Sequence, residues 1–367
     1  MNSKSKYDLW NSIGSPKYAL APMVDINDLP FRLLCRKYGT ELTFTQMYNI
    51  KLFSTDDELR NKVISEVKQD YPCFIQFCGN DPEMMLKSAK YIENITPCVD
   101  INLGCPQNIA RSGHYGSFLL DHPEEVYKLV GYLCNNNLKC GVSCKIRLFP
   151  DLSKTFELVK KLEELGISIL TVHGRTKEQK AQNCGKCNWD AIKEIKKIVK
   201  IPVIANGGLG TFEDIEKCFE YTGCDCVMSG EKLIEMPTFF SKKLYDINDI
   251  ALEYCDMWKK YKPNNQINKT DLSQIRGHMF KFFYRACSMH PEYNQKIGLS
   301  ESLDEIINIA TEIKELMKNE KVEDKYGWYM RHRKTENNDK EDKMKNKEIT
   351  QKENNINYED IEIGSLF

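Results

Sequence analysis

Short apolar runs alternate with amphipathic stretches of helical length through the first 230 residues, and this alternation constrains the fold more than any other feature of the sequence. Because only a crossover helix returns the chain to begin a strand in the same direction, the alternation predicts parallel strands in an α/β fold. Eight predicted strands favour a closed (β/α)8 TIM barrel, and a doubly wound open sheet is the alternative. The predicted strands are residues 18–23, 42–46, 73–78, 98–103, 142–147, 169–173, 202–206 and 225–229, and the predicted helices are residues 28–38, 82–92, 123–135, 153–165, 189–199 and 212–221, with a helix-like charged pattern at 49–71.

The sequence changes character after about residue 240, where the strand pattern stops. Helical patterns at 251–261, 272–287 and 303–317 predict a small all-helical domain. From residue 319 the chain is rich in Lys, Glu, Asn and Asp with few apolar residues, which is typical of disorder. We therefore expect a barrel over residues 1–240, a helical domain over 241–318 and a charged, disordered tail over 319–367.

Charge and cysteine content limit the class of protein. A net charge of −1 and a pI near 6.6 exclude a globally basic nucleic-acid binder, although a basic face could be hidden in this average. Fifteen cysteines, an odd number, and an N-terminus without an apolar signal-like run indicate free thiols in a reducing compartment, so we expect the cytoplasm, with the nucleus left open. No apolar stretch approaches the roughly 18 residues that cross a bilayer, which predicts a protein without a membrane partner, and we expect a monomer.

Polar residues interrupt five of the predicted strands at their last positions. In a barrel these positions form the active face, so the five side chains should converge on one mouth and favour a ligand site. A satisfied structural residue is the alternative for each of them taken singly. The five residues are Gln76, Asn102, Lys145, His173 and Asn206.

One cysteine, Cys105, follows the fourth predicted strand in a turn between Gly104 and Pro106. Most free cysteines are small buried hydrophobes, and that is the alternative interpretation here. The position at a strand end, next to Asn102, favours a chemical role instead. Another pair, Cys184 and Cys187, lacks a second pair at zinc spacing, so no metal site is predicted.

Two glycine-bearing turns follow the seventh and eighth predicted strands, at residues 206–208 and 229–231. In (β/α)8 barrels the loops after these strands commonly bind phosphate, because glycine lets the backbone approach the anion. Ordinary chain reversal is the alternative for either turn alone. A phosphate at this end, with Lys145, His173 and Gln76 in the middle of the mouth, suits flavin mononucleotide (FMN).

Taken together, these residues resemble the tRNA dihydrouridine synthase family. The similarity covers about residues 17–240 in the family's motif order and continues more weakly to about 317. Residues 104–107 (GCPQ), 113–116 (GHYG) and 171–180 (TVHGRTKEQK) are most similar to the eukaryotic branch that acts on tRNA positions 16 and 17. The motifs that carry the family resemblance are residues 21–24 (APMV), 74–80 (FIQFCGN), 102–106 (NLGCP), 145–147 (KIR), 173–176 (HGRT), 205–208 (ANGG) and 228–230 (MSG).

The resemblance implies an FMN-dependent reduction of a D-loop uridine to 5,6-dihydrouridine. NADPH would reduce the flavin, with NADH left open, a hydride would pass to C6 of the extruded uridine, and Cys105 would protonate C5 as a neutral thiol. Asn102 would contact the uracil edge, and Arg175 would act in the same mouth. By the same resemblance, Pro22, Met23 and Val24 would line the flavin, Gln76, Lys145 and His173 would contact its ring and ribityl chain, and Asn206, Gly207, Gly208, Gly230 and Glu231 would form the phosphate cradle.

Binding of tRNA requires a surface that offsets the cost of extruding a base. Arg276, His278 and Lys281 recur, with Arg285, along the predicted helix 272–287, and the resemblance implies that such residues contact tRNA. A solvated helix face is the alternative. Lys177, Lys180 and Lys186 near the sixth strand are further candidates. Two other functions remain open from the sequence: a flavin oxidoreductase acting on a free pyrimidine, and a catalytically silent tRNA-binding factor.

Overall fold

Eight parallel strands form a closed ring in the computed structural model, which describes residues 5–263, 266–318 and 327–333. Neighbouring strands pair in the order β1-β8-β7-β6-β5-β4-β3-β2, and a bridge between Ala19 and Leu42 joins β1 to β2. The predicted TIM barrel is therefore confirmed, and the open-sheet alternative is excluded. The strands are β1 (Tyr18–Leu20), β2 (Thr43–Asn49), β3 (Cys73–Cys78), β4 (Cys98–Leu103), β5 (Gly141–Arg147), β6 (Ile169–His173), β7 (Val203–Asn206) and β8 (Cys226–Ser229).

Helices surround the ring and continue beyond it. In the described part of the chain, none of them is long and apolar enough to cross a membrane. Those of the barrel are α1 (Asp8–Ser12), α2 (Leu29–Lys37), α3 (Ile50–Thr55), α4 (Asp57–Lys68), α5 (Pro82–Ile92), α6 (Asn108–Ser112), α7 (Pro123–Cys134), α8 (Leu152–Leu165), α9 (Trp189–Ile198), α10 (Phe212–Thr222) and α11 (Glu231–Glu235). Those that follow are α12 (Ile247–Tyr261), α13 (Lys269–Phe282), α14 (Tyr284–Met289), α15 (Glu292–Leu299) and α16 (Leu303–Met317), and 3-10 turns lie at Gly116–Asp121, Ala181–Asn183, Phe239–Ser241 and Trp328–Met330.

The region between β2 and β3 contains two helices that the sequence did not separate. Asp56 ends α3 and begins α4, and its side chain accepts a hydrogen bond of 2.9 Å from the Leu59 amide. An aspartate at this position satisfies an amide that has no partner within the helix. The charged pattern of residues 49–71 thus indicated helix correctly, while the break depends on one capping side chain.

The interior of the barrel is apolar at its amino-terminal end and polar at its carboxyl end. Phe44, Phe74, Ile204 and Met228 pack inside the ring, each with no exposed surface. Trp10, on the short helix α1 that the sequence pattern did not indicate, closes the amino-terminal end and is 2% exposed. Polar side chains that point inward are therefore concentrated at the carboxyl ends of the strands, where a barrel enzyme has its active site.

The helices after residue 240 pack directly on the barrel. The Tyr254 hydroxyl on α12 donates to the Asp28 carboxylate at the start of α2 over 2.9 Å, and its ring lies against Phe31 with centroids 6.5 Å apart. The predicted helix 272–287 consists of two helices, α13 and α14, which meet at Phe283. Apolar residues keep helical spacing across this junction, so the sequence pattern did not reveal it.

Residues 327–333 differ from the predicted disorder of residues 319–367. They form an ordered segment in which Tyr329 is buried and Trp328 packs edge-on against Tyr284, with ring centroids 5.4 Å apart. Trp328 and Tyr329 are large aromatic residues in an otherwise charged region, and a composition averaged over residues 319–367 does not reveal them. Residues 319–326 and 334–367 of the predicted tail lie outside the described residues.

Candidate active site

The five polar strand-end residues predicted to converge lie on the inner face of the barrel at its carboxyl end. Asn102 is level with Lys145 in the pairing of β4 with β5, and His173 is level with Asn206 in the pairing of β6 with β7. Gln76 on β3 and Asn206 on β7 are buried, whereas the other three are partly exposed to the mouth. The inner face of the barrel thus carries amide, ammonium and imidazole groups together at its carboxyl end.

A chain of hydrogen bonds beneath the mouth fixes the turn that carries Cys105. The Ser143 hydroxyl donates to Asp100 over 2.6 Å, and the Gln76 amide donates to the other Asp100 oxygen, also over 2.6 Å. Asn102 in turn donates to the Gln76 oxygen over 2.8 Å. The Asn102 oxygen accepts from the Cys105 amide at 2.9 Å, so this side chain positions the cysteine.

Burial of Asp100 raises its pKa to about 6, against the opposing effects of Gln76, Ser143 and Lys145. The carboxyl has no exposed surface, and desolvation disfavours its charged form. Asp100 lies two residues before Asn102 and on the same face of β4, and the sequence analysis did not include it among the site residues. Its structural role is to accept from the Gln76 amide nitrogen, which leaves the Gln76 oxygen as the acceptor for Asn102.

The Cys105 thiol is half-buried at the edge of the mouth, and burial raises its pKa against the opposing effects of a backbone amide, Arg147, Lys145 and Lys180. Its carbonyl accepts from the Ser117 amide and hydroxyl at 3.0 and 2.9 Å. Gly116 has φ +64°, and a Cβ on it would lie 2.7 Å from the Cys105 carbonyl oxygen. This close approach needs glycine, and it fixes the backbone of Cys105 in the turn.

Cationic side chains accumulate on one side of the mouth. Burial, together with repulsion from Arg147, lowers the pKa of Lys145 to about 8. Burial and repulsion from Arg175 lower the pKa of Arg147 to about 10, and this guanidinium donates to the Thr176 and Gln179 carbonyls at 2.8 and 3.1 Å. Arg147 was not predicted as a site residue, although it lies on the same face of β5 as Lys145, and that parity was the available signal.

His173 is a neutral imidazole. Burial and the neighbouring Arg147, Lys145, Arg175 and Arg333 cations hold its pKa well below the usual value. Its Nε2 atom lies 3.2 Å from a guanidinium nitrogen of Arg175. Because arginine can only donate, Nε2 is the acceptor and the proton is on Nδ1.

Arg175, predicted to act on substrate, lies buried behind His173. Its guanidinium donates to the carbonyls of Cys184 and Gly185, at 2.8 and 3.1 Å, in the loop after β6. These contacts hold the loop and orient His173. The structure thus places Arg175 behind His173, with several of its donors already engaged by the chain.

The two glycine turns after β7 and β8 form a narrow cradle. Gly207 and Gly208 have φ +102° and +83°, and a Cβ on Gly207 would lie 2.9 Å from the His173 ring. A Cβ on Gly230 would lie 3.1 Å from the Met23 sulfur, so the turn after β8 approaches the segment after β1. Pro22 and Met23 are half-buried there and Val24 is exposed. Glycine at these partly exposed turns leaves no side chain of its own between the backbone and an anion.

Glu231 lies at this corner, and its carboxylate is paired with arginine. Arg331 and Arg333 contact its two oxygens at 3.2 and 2.5 Å. Burial opposes ionisation, but these two guanidinium groups hold the pKa of Glu231 below its usual value. Neither arginine was predicted as a site residue, because both lie in the charged region that the sequence analysis assigned to a disordered tail.

The structure contradicts a direct RNA contact for His278. Its side chain has no exposed surface and packs on Phe31 and Tyr254, with Nε2 3.0 Å from the Asp28 carboxylate. Hydropathy and spacing cannot separate such a buried polar residue from an exposed one on a weakly amphipathic helix. Arg276, by contrast, is partly exposed and donates to the Gly298 and Ser300 carbonyls, at 2.8 and 3.3 Å.

Lys281 lies between the helical region and the mouth. Its ammonium donates to the Gly277 carbonyl over 2.6 Å and lies 5.4 Å from the Trp328 ring centroid. Burial and the charge of Arg331 lower its pKa to about 8. Lys281 is thus placed toward the site, unlike His278 on the same helix.

A cavity of about 240 Å³ lies at the outer rim, next to the Cys105 turn. Arg147, Phe149 and Lys177 contribute to its wall, and Ser117, which binds the Cys105 carbonyl, lies at its edge. Lys177 pairs with Asp121 at 2.6 Å across this rim, and Lys180 donates to the Pro106 carbonyl over 3.2 Å. The side chains of Lys177 and Lys180 therefore lie beside the turn that carries Cys105.

Comparison with known proteins places these features in a family. Residues 19–359 match the family model described as Dihydrouridine synthase (Dus). A Schizosaccharomyces pombe protein named tRNA-dihydrouridine(16/17) synthase is 39% identical over 302 residues, which cover 79% of this chain and 75% of that protein.

Two Mus musculus proteins are also similar. One, named as tRNA-dihydrouridine(16/17) synthase-like, is 34% identical over 311 residues, which cover 84% of this chain. The chain spans 64% of the length of that relative. The other, named as tRNA-dihydrouridine(20a/20b) synthase-like, is 36% identical over 242 residues, which cover 64% of this chain and 74% of that protein.

Proposed function

The chain belongs to the dihydrouridine synthase family, and from that membership we propose that it reduces uridine to 5,6-dihydrouridine in the D-loop of tRNA, at positions 16 and 17. The observation that carries the proposal is the position of a neutral thiol, Cys105, at the edge of a ring formed by Gln76, Asn102, Lys145 and His173. In this proposal the residues at the mouth would hold a redox cofactor, and Cys105 would act as the acid toward the uracil ring.

FMN is the cofactor that the residues fit. Gly207, Gly208 and Gly230 are partly exposed and carry no side chain, so the backbone at these two turns would approach a phosphate directly. Lys145 provides a cation, and His173 a neutral imidazole, between that corner and Cys105. Pro22, Met23 and Val24, which follow β1 at the same end of the barrel, would provide an apolar wall.

When bound, the reduced flavin supplies the hydride that adds to C6 of uracil, and NADPH is the proposed source of that hydride. Cys105 donates its proton to C5, so that C6 gains a hydride, C5 gains a proton and a thiolate remains. Arg147 and Lys145 stabilise this thiolate, because both cations act on the Cys105 sulfur. A proton from solvent then restores the thiol.

The uracil edge lies within reach of the Asn102 amide in this proposal. Asn102 also holds the amide of Cys105, so one residue sets both the substrate edge and the acid. Lys145 would stabilise negative charge at the pyrimidine end of the reduced flavin. The buried chain through Gln76 and Asp100 keeps these groups in a fixed geometry.

Partly exposed cations line the approach to the mouth and suit the tRNA backbone. Lys177 contacts Asp121 and Lys180 contacts Pro106, next to the Cys105 turn, and Lys281 lies beside Trp328. Contacts of this kind neutralise phosphates and release counterions. They supply binding free energy that offsets the cost of extruding the base.

The proposal is tested with purified protein, FMN, NADPH and unmodified tRNA transcript, with dihydrouridine mapped by position. The wild type should form dihydrouridine at positions 16 and 17, and Cys105→Ala should bind FMN and tRNA but lose at least about a hundredfold in rate, the usual contribution of a general acid. Wild-type protein that binds tRNA and forms no product would support a silent binding factor. Equal activity on free uridine would support a reductase of free pyrimidines.

A further inference from the structure

The ordered segment of residues 327–333, here called the C-terminal strap, crosses three loops at the carboxyl end of the barrel. The Tyr329 amide donates to the Glu235 carboxylate of α11, after β8, over 2.5 Å. The Tyr329 ring lies against Gly210, after β7, where an added Cβ would be 2.8 Å from the ring. The His332 carbonyl accepts from the Cys184 thiol, after β6, over 3.9 Å.

The other side of the strap is attached to the helices beyond the barrel. Trp328 meets Tyr284 of α14 edge-on, and the Lys281 ammonium lies 5.4 Å from the Trp328 ring centroid. Aromatic anchors of this kind bury a large apolar area from a short segment. The strap therefore has a defined position between the two parts of the protein.

Two arginines of the strap lie next to the glycine turn after β8. Arg331 stacks on Trp328 and Arg333 stacks on Tyr329, each 3.7 Å from the ring centroid. Both guanidinium groups contact Glu231, which directly follows Gly230 in the glycine turn after β8. Two guanidinium groups around one carboxylate leave an excess of one positive charge at this corner.

One donor in this arrangement lacks an acceptor. The Nε atom of Arg333 is buried and, among the described residues, has no hydrogen-bond partner. A buried donor without a partner is unfavourable, so an acceptor at this position would stabilise the arrangement. The same guanidinium acts on the imidazole of His173, which places its charge at the mouth.

We propose that the C-terminal strap is part of the cofactor site, with Arg331 and Arg333 binding the terminal phosphate of a flavin mononucleotide beside the glycine turns. Glu231 at this corner would by itself repel a phosphate, and the strap reverses the sign of the local charge. A phosphate monoester, with nearly two negative charges and three acceptor oxygens, suits paired guanidinium groups better than a singly charged phosphodiester of RNA. The assignment rests on the proposed function and adds to it a segment outside both the barrel and the helical region.

The test compares the binding of FMN with that of riboflavin, which has the same ring and no phosphate, to flavin-free full-length protein. Flavin fluorescence gives both affinities for the wild type and for Arg331→Ala/Arg333→Ala. The variant should lose about tenfold or more in FMN affinity, since charged hydrogen bonds are lost, and should bind riboflavin as the wild type does. Arg331→Lys/Arg333→Lys should retain part of the preference for FMN, because charge remains but bidentate geometry is lost.

A matched control removes two cations from exposed ion pairs far from the mouth. Lys296→Ala/Lys314→Ala, which breaks contacts with Glu312 and Asp249, should leave both affinities unchanged. Unchanged FMN affinity in the strap variant, or an equal loss for FMN and riboflavin, would overturn the assignment. Weaker tRNA binding with unchanged FMN binding would overturn it in favour of an RNA contact. A wild-type protein that binds neither flavin would overturn the proposed function, and the strap assignment with it.

Discussion

At the scale of single residues, the position of Cys105 is set by contacts around its backbone, while its acidity is set by burial. Asn102 accepts from its amide, and Ser117 donates to its carbonyl. Burial raises the pKa of the thiol, and the nearby Arg147 and Lys145 oppose this shift. The result is a proton donor that is fixed in place and still protonated at neutral pH, as the proposed reaction requires.

The raised pKa of Cys105 predicts slow alkylation. Thiolate is the reactive form, and a pKa above the ordinary thiol value leaves less thiolate at any pH below it, so the rate should rise only in a more alkaline range. Iodoacetamide labelling from pH 6 to 10, resolved to the Cys105 peptide by mass spectrometry, measures this rate. The same peptide in urea-unfolded protein is the control. Equal labelling of folded and unfolded protein at pH 7 would contradict the prediction.

At the scale of elements, α13 joins the helical region to the barrel through buried groups. His278 packs among Phe31, Tyr254 and Phe282, and it reaches the Asp28 carboxylate that caps α2. Asp28 also accepts from the Tyr254 hydroxyl of α12. One carboxylate therefore connects three helices, and α13 depends on it for its position beside the mouth.

Replacement of His278 by alanine should destabilise the protein without weakening its contact with RNA. Loss of the ring packing and of the Asp28 contact should lower the free energy of unfolding by about 2–4 kcal/mol. Arg276→Ala, which removes partly exposed contacts on the same helix, should cost about 1 kcal/mol or less. Urea unfolding measures both. Affinity for tRNA, measured below the unfolding transition, should change less than about twofold for His278→Ala, and a larger loss would restore the RNA contact that burial argues against.

The elements also show what the sequence could and could not predict. Alternating parity along the strands predicted which side chains face inward, so Gln76, Asn102, Lys145, His173 and Asn206 were found before the fold was known. The same alternation places Arg147 on the face of β5 that carries Lys145, although Arg147 was not predicted as a site residue. The burial of His278 and the pairing of Glu231 with the strap depend on contacts between segments far apart in the sequence, and no local pattern encodes them.

At the scale of the whole molecule, a nearly neutral chain carries unevenly distributed charge. The net charge is −1, yet Lys145, Arg147, Lys177 and Lys180 gather around the mouth. Such local concentration attracts a polyanion even when the average charge does not. Composition alone therefore gave no information about an RNA partner, and the fold was needed to bring these residues together.

Lys180 provides a test of this distribution through the salt dependence of tRNA binding. It is exposed beside the Cys105 turn, so Lys180→Ala should weaken binding and lower the slope of log K against log salt by about one. Lys160→Ala, on the exposed face of α8, removes the same charge away from the mouth and should leave the slope unchanged. Filter binding from 50 to 300 mM salt, about the range where such slopes are measured, gives both values. Identical slopes for Lys180→Ala and the wild type would remove Lys180 from the interface.

Trp10 has a consequence for the order of events in a reaction cycle. Because this indole covers the amino-terminal end of the barrel, ligands would bind and dissociate at the carboxyl end. If the proposed function holds, the electron donor and the folded RNA would both have to reach the cofactor from the carboxyl end and would compete for that access. The donor and the RNA would have to bind one after the other, so the oxidised donor would dissociate before the RNA binds.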